Sequence, residues 1–257
     1  MCAGVFATPP TAQVRGSAKK PAPKAGAPAP AAKTVAPFRA GETLDFSGQW
    51  LGMSGAITAS LSIPEQRNVF GKDAWHFRAQ LHTNNPLRYL VTVDDEFDAY
   101  AAQAELAGLQ FEMYLHESGK SETHQLRMIT GNESPQAGTN AVQVPQGTRD
   151  PMGMLYFLRT VDWQKSNEAR GPVFDGRKMY DVRAQLADAR QEITVASGRY
   201  SASGIAIRVF ENGNEMTNTK LKLWIAQDAA RTPVLLEMEL PIGTGRVELV
   251  KAVAGKP

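Results

Sequence analysis

The sequence predicts an all-β domain: a strongly curled antiparallel sheet around one short buried helix. Three observations predict it. From residue 42 onward apolar and polar residues alternate with period two, the mark of strands with one wet face. Turn signals rich in Gly and Asn separate these runs at hairpin spacing. One segment, residues 150–159, breaks the alternation and carries large apolar residues all round a short cylinder.

The chain divides before the first strand. Residues 1–41 carry Arg15, Lys19, Lys20, Lys24, Lys33 and Arg39 and no acid, so this part is +6. The remainder holds 22 basic and 26 acidic residues and is −4, which together give the formal net charge of +2 over 257 residues. An acidic body argues against a nucleic-acid-binding folded domain. Residues 8–37 are dominated by Ala, Pro, Lys and Thr and read as an extended linker with almost nothing large to bury. Residues 1–7, MCAGVFA, are small and apolar, and Val5-Phe6-Ala7 fits the last positions before a signal-peptidase cut. The expectation is the remnant of a secretory signal whose start lies upstream of Met1. An ordinary cytosolic N-terminus and a lipidated Cys2 are the other readings, and Met1 is a poor residue before a lipidated cysteine. As the single cysteine, Cys2 excludes intramolecular disulfides and cysteine-rich zinc modules. No run of 18 apolar residues exists.

The β domain is expected over residues 38–252, with 253–257 as a tail. Trp75, Phe77, Ala79 and Leu81 alternate with His76, Arg78, Gln80 and His82. Ser118-Gly119-Lys120 turns a run at 109–117 into one at 122–130. Residues 131–149, rich in Gly, Asn, Ser, Pro, Gln and Thr, read as a long solvated connection. Asp150 then stands at an N-cap and Pro151 at the first helical position, so 150–159 is predicted to form a two- to three-turn buried helix. Asp175-Gly176, Ser197-Gly198 and Asn212-Gly213-Asn214 precede further strands. Lys220–Leu223, Leu236–Leu240 and Arg246–Leu249 alternate again, the last two joined through Ile242–Gly245. About eleven strands follow by this count.

Little in the sequence speaks for catalysis. His76 and His82 lie about 20 Å apart along one strand and cannot share a metal. His116 and His124 flank a hairpin and are expected as exposed strand histidines, with a metal pair as the alternative. The acidic run Asp94-Asp95-Glu96-Phe97-Asp98 lacks the glycine of a calcium loop and reads as a solvated strand end or turn. No HExxH, GxSxG or P-loop pattern is present.

Three stretches carry a family resemblance. They are Leu44-Asp45-Phe46-Ser47-Gly48-Gln49-Trp50-Leu51-Gly52-Met53, then DPMGMLYFLR (150–159) followed by Asp175-Gly176-Arg177-Lys178-Met179-Tyr180, and finally Leu223-Trp224-Ile225 through Arg231-Thr232-Pro233-Val234 to Glu237 and Gly243–Leu249. In order and spacing the chain resembles the domain-of-unknown-function family numbered 3108, found in envelope-associated bacterial proteins, over residues about 38 to 250. Gly153, Ala229 and Ala230 depart from its pattern. The resemblance implies an exported, periplasmic, mostly β protein, and a shape similar to the half-barrel of periplasmic lipoprotein carriers. It implies no catalytic mechanism and no cofactor.

The functional expectation is therefore a non-enzymatic exported cell-envelope protein that binds a lipid or other apolar ligand on the concave face of its sheet. Met152, Met154, Tyr156 and Phe157 would line the site, and Arg159, Arg177, Lys178 and Tyr180 would rim it. The basic linker would lie near an anionic membrane surface. The first alternative is a structural or assembly factor whose helix fills the core. The second is a hydrolase of envelope polymers using carboxylates from 94–98.

Overall fold

The computed structural model describes residues 36–135 and 138–256. The expectations for residues 1–7, for Cys2 and for the linker up to residue 35 lie outside the described residues. Lys33–Pro257 forms one compact unit. In chain order its strands are β1 (Thr43–Trp50), β2 (Met53–Val69), β3 (Lys72–Thr83), β4 (Asp94–Ala102), β5 (Gly108–Glu117), β6 (Lys120–Ile129) and β7 (Ala141–Gln143). Helix α1 (Pro151–Thr160) follows, then β8 (Glu168–Phe174), β9 (Met179–Val195), β10 (Gly198–Glu211), β11 (Asn214–Glu215), β12 (Lys220–Ala226), β13 (Pro233–Leu240) and β14 (Gly243–Val253).

All strands belong to one sheet in the order β7-β6-β5-β4-β3-β2-β1-β14-β13-β12-β10-β9-β8, with β11 paired to β10. Two antiparallel meanders are thus joined at the centre by the first and last strands, with Thr43 opposite Val253 and Trp50 opposite Gly245. Several of the hairpins close through two-residue turns with positive φ at both positions. Ser118 (φ 48°) and Gly119 (φ 82°) form one such turn. Leu51 (φ 50°) and Gly52 (φ 80°) form another. Leu51-Gly52 gives no turn signal by composition, since a bulky residue rarely takes the left-handed conformation. Here its sharp reversal of the chain separates β1 from β2.

The sheet is not closed by a strand ladder between β7 and β8. The connection 141–150 spans that seam instead. Its first part pairs with β6 as β7, and Val144 N then donates to Ile129 O at 2.9 Å. Gly108 N donates to Thr148 O at 2.8 Å, and Arg149 N donates to Pro172 O at 3.0 Å beside β8. The expected solvated loop is corrected over this part: Val144, Thr148 and Arg149 are buried. The reason is that two sheet edges present unpaired backbone groups, and this segment supplies partners to both.

Helix α1 begins where that connection ends and lies between the two halves of the core. Met152 and Tyr156 pack with Phe38, Ile63, Phe77, Phe111 and Met128 of the first meander. Met154 and Leu158 pack with Trp163, Val173, Val182, Ile205 and Leu223 of the second. A helix buried on both sides needs apolar residues around its whole circumference, which is why 152–158 shows no wet stripe. Among the described residues no helix is long and apolar enough to cross a membrane.

Candidate functional site

Asp150 starts the helix as expected. Its Oδ1 accepts a hydrogen bond from Gly153 N at 2.8 Å, and Pro151 follows at the first helical position. Gly153 fits because a Cβ there would stand 3.0 Å from Asp150 Oδ2. Asp150 is wholly buried and its Oδ2 has no hydrogen-bond partner. Burial disfavours the carboxylate and pushes its pKa up from 3.8 to about 6. A carboxyl raised on folding stabilises fully below its unfolded value, and that contribution is lost as pH rises from about 4 to about 6. Asp150→Asn keeps the cap but removes the titration. Urea midpoints measured across this interval should fall with pH in the wild type and show a shallower fall in the variant. Equal slopes would mean that Asp150 is already ionised in the folded state.

One turn further on, the Tyr156 ring stacks on Phe77 with centroids 3.9 Å apart and planes 6° from parallel. Phe38 meets Tyr156 edge-on at 4.9 Å. The Tyr156 hydroxyl has no hydrogen-bond partner, and burial raises its pKa. Beside it lies Arg159, the largest of the fully buried side chains. Its guanidinium donates to both oxygens of Glu42, at 2.6 and 2.9 Å, and to the carbonyls of Ala230 at 3.0 Å and Arg231 at 3.2 Å. The Phe38 and Tyr156 rings lie 5.1 and 5.0 Å from the guanidinium carbon. Every face of this cation is occupied by protein.

The eight residues expected to form one ligand site are therefore distributed. Met152, Met154 and Tyr156 are buried in the core, and Phe157 is half-buried beneath the Arg149 guanidinium at 3.8 Å. Arg159 is no rim residue, because Glu42 and two loop carbonyls already satisfy it. Arg177, Lys178 and Tyr180 lie on the β8–β9 hairpin, at the opposite end of β9 from the loop that holds Arg159. Arg177 N and Lys178 N both donate to Asp175 Oδ1 at 2.7 Å, and Lys178 Nζ reaches Glu211 at 2.7 Å. The structure thus brings the helical residues together and leaves the hairpin residues apart from them. Two half-open clefts, of about 560 and 650 Å³, lie at Trp75–Leu109–Met128 and at Phe38–Leu44–Arg231, and no residue of α1 lines either.

The acidic run is not a solvated strand end. It lies on β4, where Asp98 is buried against β3. Arg78 donates to both Asp98 oxygens at 2.8 Å, and His76 Nε2 lies 2.6 Å from Oδ1. Burial would raise the Asp98 pKa, but the bonds from His76 and Arg78 prevail and hold it at about 2. Asp94 is held below the usual carboxylate range by Arg88, which donates to both of its oxygens, and by His82. Asp95 accepts from the His116 backbone N–H at 2.9 Å. The missing signal was long-range: the cations that neutralise the run sit on β3 and in the 84–93 loop. His116 and His124 do not meet, since His124 pairs with Met113 and His116 with Ser121. Among the described residues no group of His, Cys, Asp and Glu is placed to hold a metal ion.

A sheet of this order around a capped DPMGMLYFLR helix can be set beside known proteins. The family model described as a protein of unknown function, DUF3108, matches residues 44–250. The chain belongs to this family. No curated protein matches this DUF3108 chain. Among solved structures it is similar to a β-barrel-like protein of the family DUF1849 from Brucella abortus, with a TM-score of 0.54, 9% identity, and coverage of 85% of this chain and 99% of that one. This likeness shows a shared fold. A candidate lipoprotein from Parabacteroides distasonis matches with a TM-score of 0.38 and 10% identity over 84% of the DUF3108 chain and 98% of its own. A candidate exported protein with a YmcC-like fold from Bacteroides fragilis matches with a TM-score of 0.37 and 6% identity over 84% and 97%.

Proposed function

We propose that this DUF3108 protein is a non-enzymatic, exported protein of the cell envelope whose curled sheet holds a filled core, acting as a structural or assembly factor through its surface. The observation that carries this reading is the packing of α1. Tyr156 stacks on Phe77, and Arg159 is consumed by Glu42 and two backbone carbonyls. The concave face expected to receive an apolar ligand is covered by the protein's own helix. A lipid in that place would have to displace Tyr156 and expose a buried ion pair, which is strongly unfavourable. Export is supported by the envelope association that the family resemblance implies and by the apolar start and Ala/Pro/Lys linker of the sequence.

Native mass spectrometry of the purified protein, with organic extraction of the same sample, tests the filled core. The expected spectrum carries the mass of the polypeptide alone, and the extract holds no stoichiometric lipid. A retained lipid adduct that survives detergent washing would favour the carrier reading instead. Cell fractionation with the genomic start of the gene tests export, with the protein expected outside the cytoplasmic fraction.

A further inference from the structure

The most exposed large apolar side chains of the described residues gather at one end of the sheet. Tyr89 is 80% exposed, Leu90 77%, Ile242 73% and Leu51 57%. They stand on three turns: β1–β2, β3–β4 and β13–β14. The strands that these turns join are contiguous in the sheet, β4-β3-β2-β1-β14-β13. Contacts between the turns agree. Leu51 N donates to Thr244 O at 3.2 Å, and the Leu51 side chain lies against Gly243. Asn84 N donates to Ala56 O at 2.8 Å, and Asn84 Nδ2 to Gly55 O at 2.9 Å.

The arc is also uncharged. Residues 50–56, 89–93 and 240–245 contain no Asp, Glu, Lys or Arg. Of the two cations that adjoin it in sequence, Arg88 is turned back onto Asp94 and the Thr83 carbonyl, and Arg246 pairs with Glu237 and Glu248. The remaining turns at this end, at 117–120, 175–178 and 211–215, all carry charge. Tyr89 and Leu90 are presented by a braced loop, since Thr83 Oγ1 donates to Val91 O at 2.9 Å and accepts from Val93 N at 3.0 Å. At Leu51 a bulky apolar residue is both exposed and held at φ 50°, a conformation that Asn or Gly adopts with less strain.

We propose that this arc is a membrane-docking edge that inserts its apolar tips into the headgroup and upper acyl region of a phospholipid bilayer. The shape favours lipid over protein. A stable protein interface buries about 800 Å² on each partner around a packed centre, whereas this arc offers four apolar side chains on three turns. A fluid bilayer closes around such tips, and Tyr, Leu and Ile are suited to the interfacial depth. The charges behind the tips are paired, so shallow insertion strands none of them. Ala40, just before β1, lies at the opposite end of the sheet from the arc, where Lys256 N donates to its carbonyl.

Vesicle flotation of the full chain tests this, using zwitterionic phosphatidylcholine vesicles and anionic phosphatidylglycerol-containing vesicles at low and high salt. The wild type is expected to float with both, and its binding to phosphatidylcholine is expected to persist at high salt. The combined variant Leu51→Asn, Tyr89→Ser, Leu90→Ser, Ile242→Ser should lose at least about tenfold in partitioning while its melting temperature holds or rises. Lys19→Gln, Lys20→Gln and Lys24→Gln should weaken only the salt-sensitive binding to anionic vesicles. Binding confined to anionic vesicles and abolished by salt, a variant that floats like the wild type, or a wild type that does not float would each overturn the proposal. The spectrum that tests the filled core does not depend on this result.

Discussion

Arg159→Met alone should lower the stability of the protein by about 3–5 kcal/mol, because it leaves the Glu42 carboxylate in the interior without its partner. The melting temperature should fall by roughly 10 °C. Glu42→Leu should cost a similar amount, for it strands a guanidinium that is fully buried. The double variant Glu42→Leu, Arg159→Met removes both charges and should recover much of the loss, since the pair in the wild type offsets two desolvation penalties. The carbonyls of Ala230 and Arg231, which the guanidinium also binds, would lose a donor, so recovery should be incomplete. Urea denaturation of the four proteins checks this. If the double variant is as unstable as the sum of the singles, the two residues do not act as one buried unit.

The second large effect belongs to Tyr156. Tyr156→Ala removes a ring that is wholly buried between Phe77 and Phe38 and should cost about 3–5 kcal/mol through lost burial and the cavity left behind. Tyr156→Phe keeps the stack and deletes only the hydroxyl. That hydroxyl is buried without a hydrogen-bond partner, so the change should be neutral or stabilise by up to about 1 kcal/mol. The contrast separates packing from polarity at one position and is read from denaturation midpoints. A Phe variant as weak as the Ala variant would show that the hydroxyl, not the ring, holds α1 in place. A protein whose concave face were an open ligand cavity would tolerate Tyr156→Ala with a far smaller loss, so this experiment also bears on the filled core.

Acid should act in the opposite sense from the Asp150 effect. Asp98 has a pKa held at about 2, so its stabilising contribution is present above the ordinary value of 3.8 and is lost as pH falls toward 2. The two carboxyls thus favour the folded state most strongly near pH 4, Asp150 being lost above and Asp98 below.

Most of the strands, the turns at 118–120, 175–176, 197–198 and 212–214, and α1 were legible because each is decided by neighbours within a few residues. Trp75, Phe77 and their alternation report the pleat of one strand, and Asp150-Pro151 reports one helix start. The acidic run misled because charge density along a strand says nothing about what lies across it. Arg78 and His76 bind Asp98 from β3, and those partners are visible only after the strands are paired. Arg159 misled for the same reason. A cation in an apolar helix signals a buried partner, but nothing local points to Glu42, 117 residues earlier.

The sequence by itself determined the elements: which residues form strands, which face of each is dry, where the single helix starts and that its whole circumference is apolar. Backbone geometry repeats every two residues in a strand and about every 3.6 in a helix, so these patterns are written locally. Only the tertiary structure decided that β1 and β14 meet at the centre, that the 141–150 segment spans the seam, and that α1 packs against both meanders. It also decided that Leu51, Tyr89, Leu90 and Ile242 share one edge. Those outcomes depend on how far the sheet twists and curls over fourteen strands, a sum of small rotations that no short stretch of sequence records.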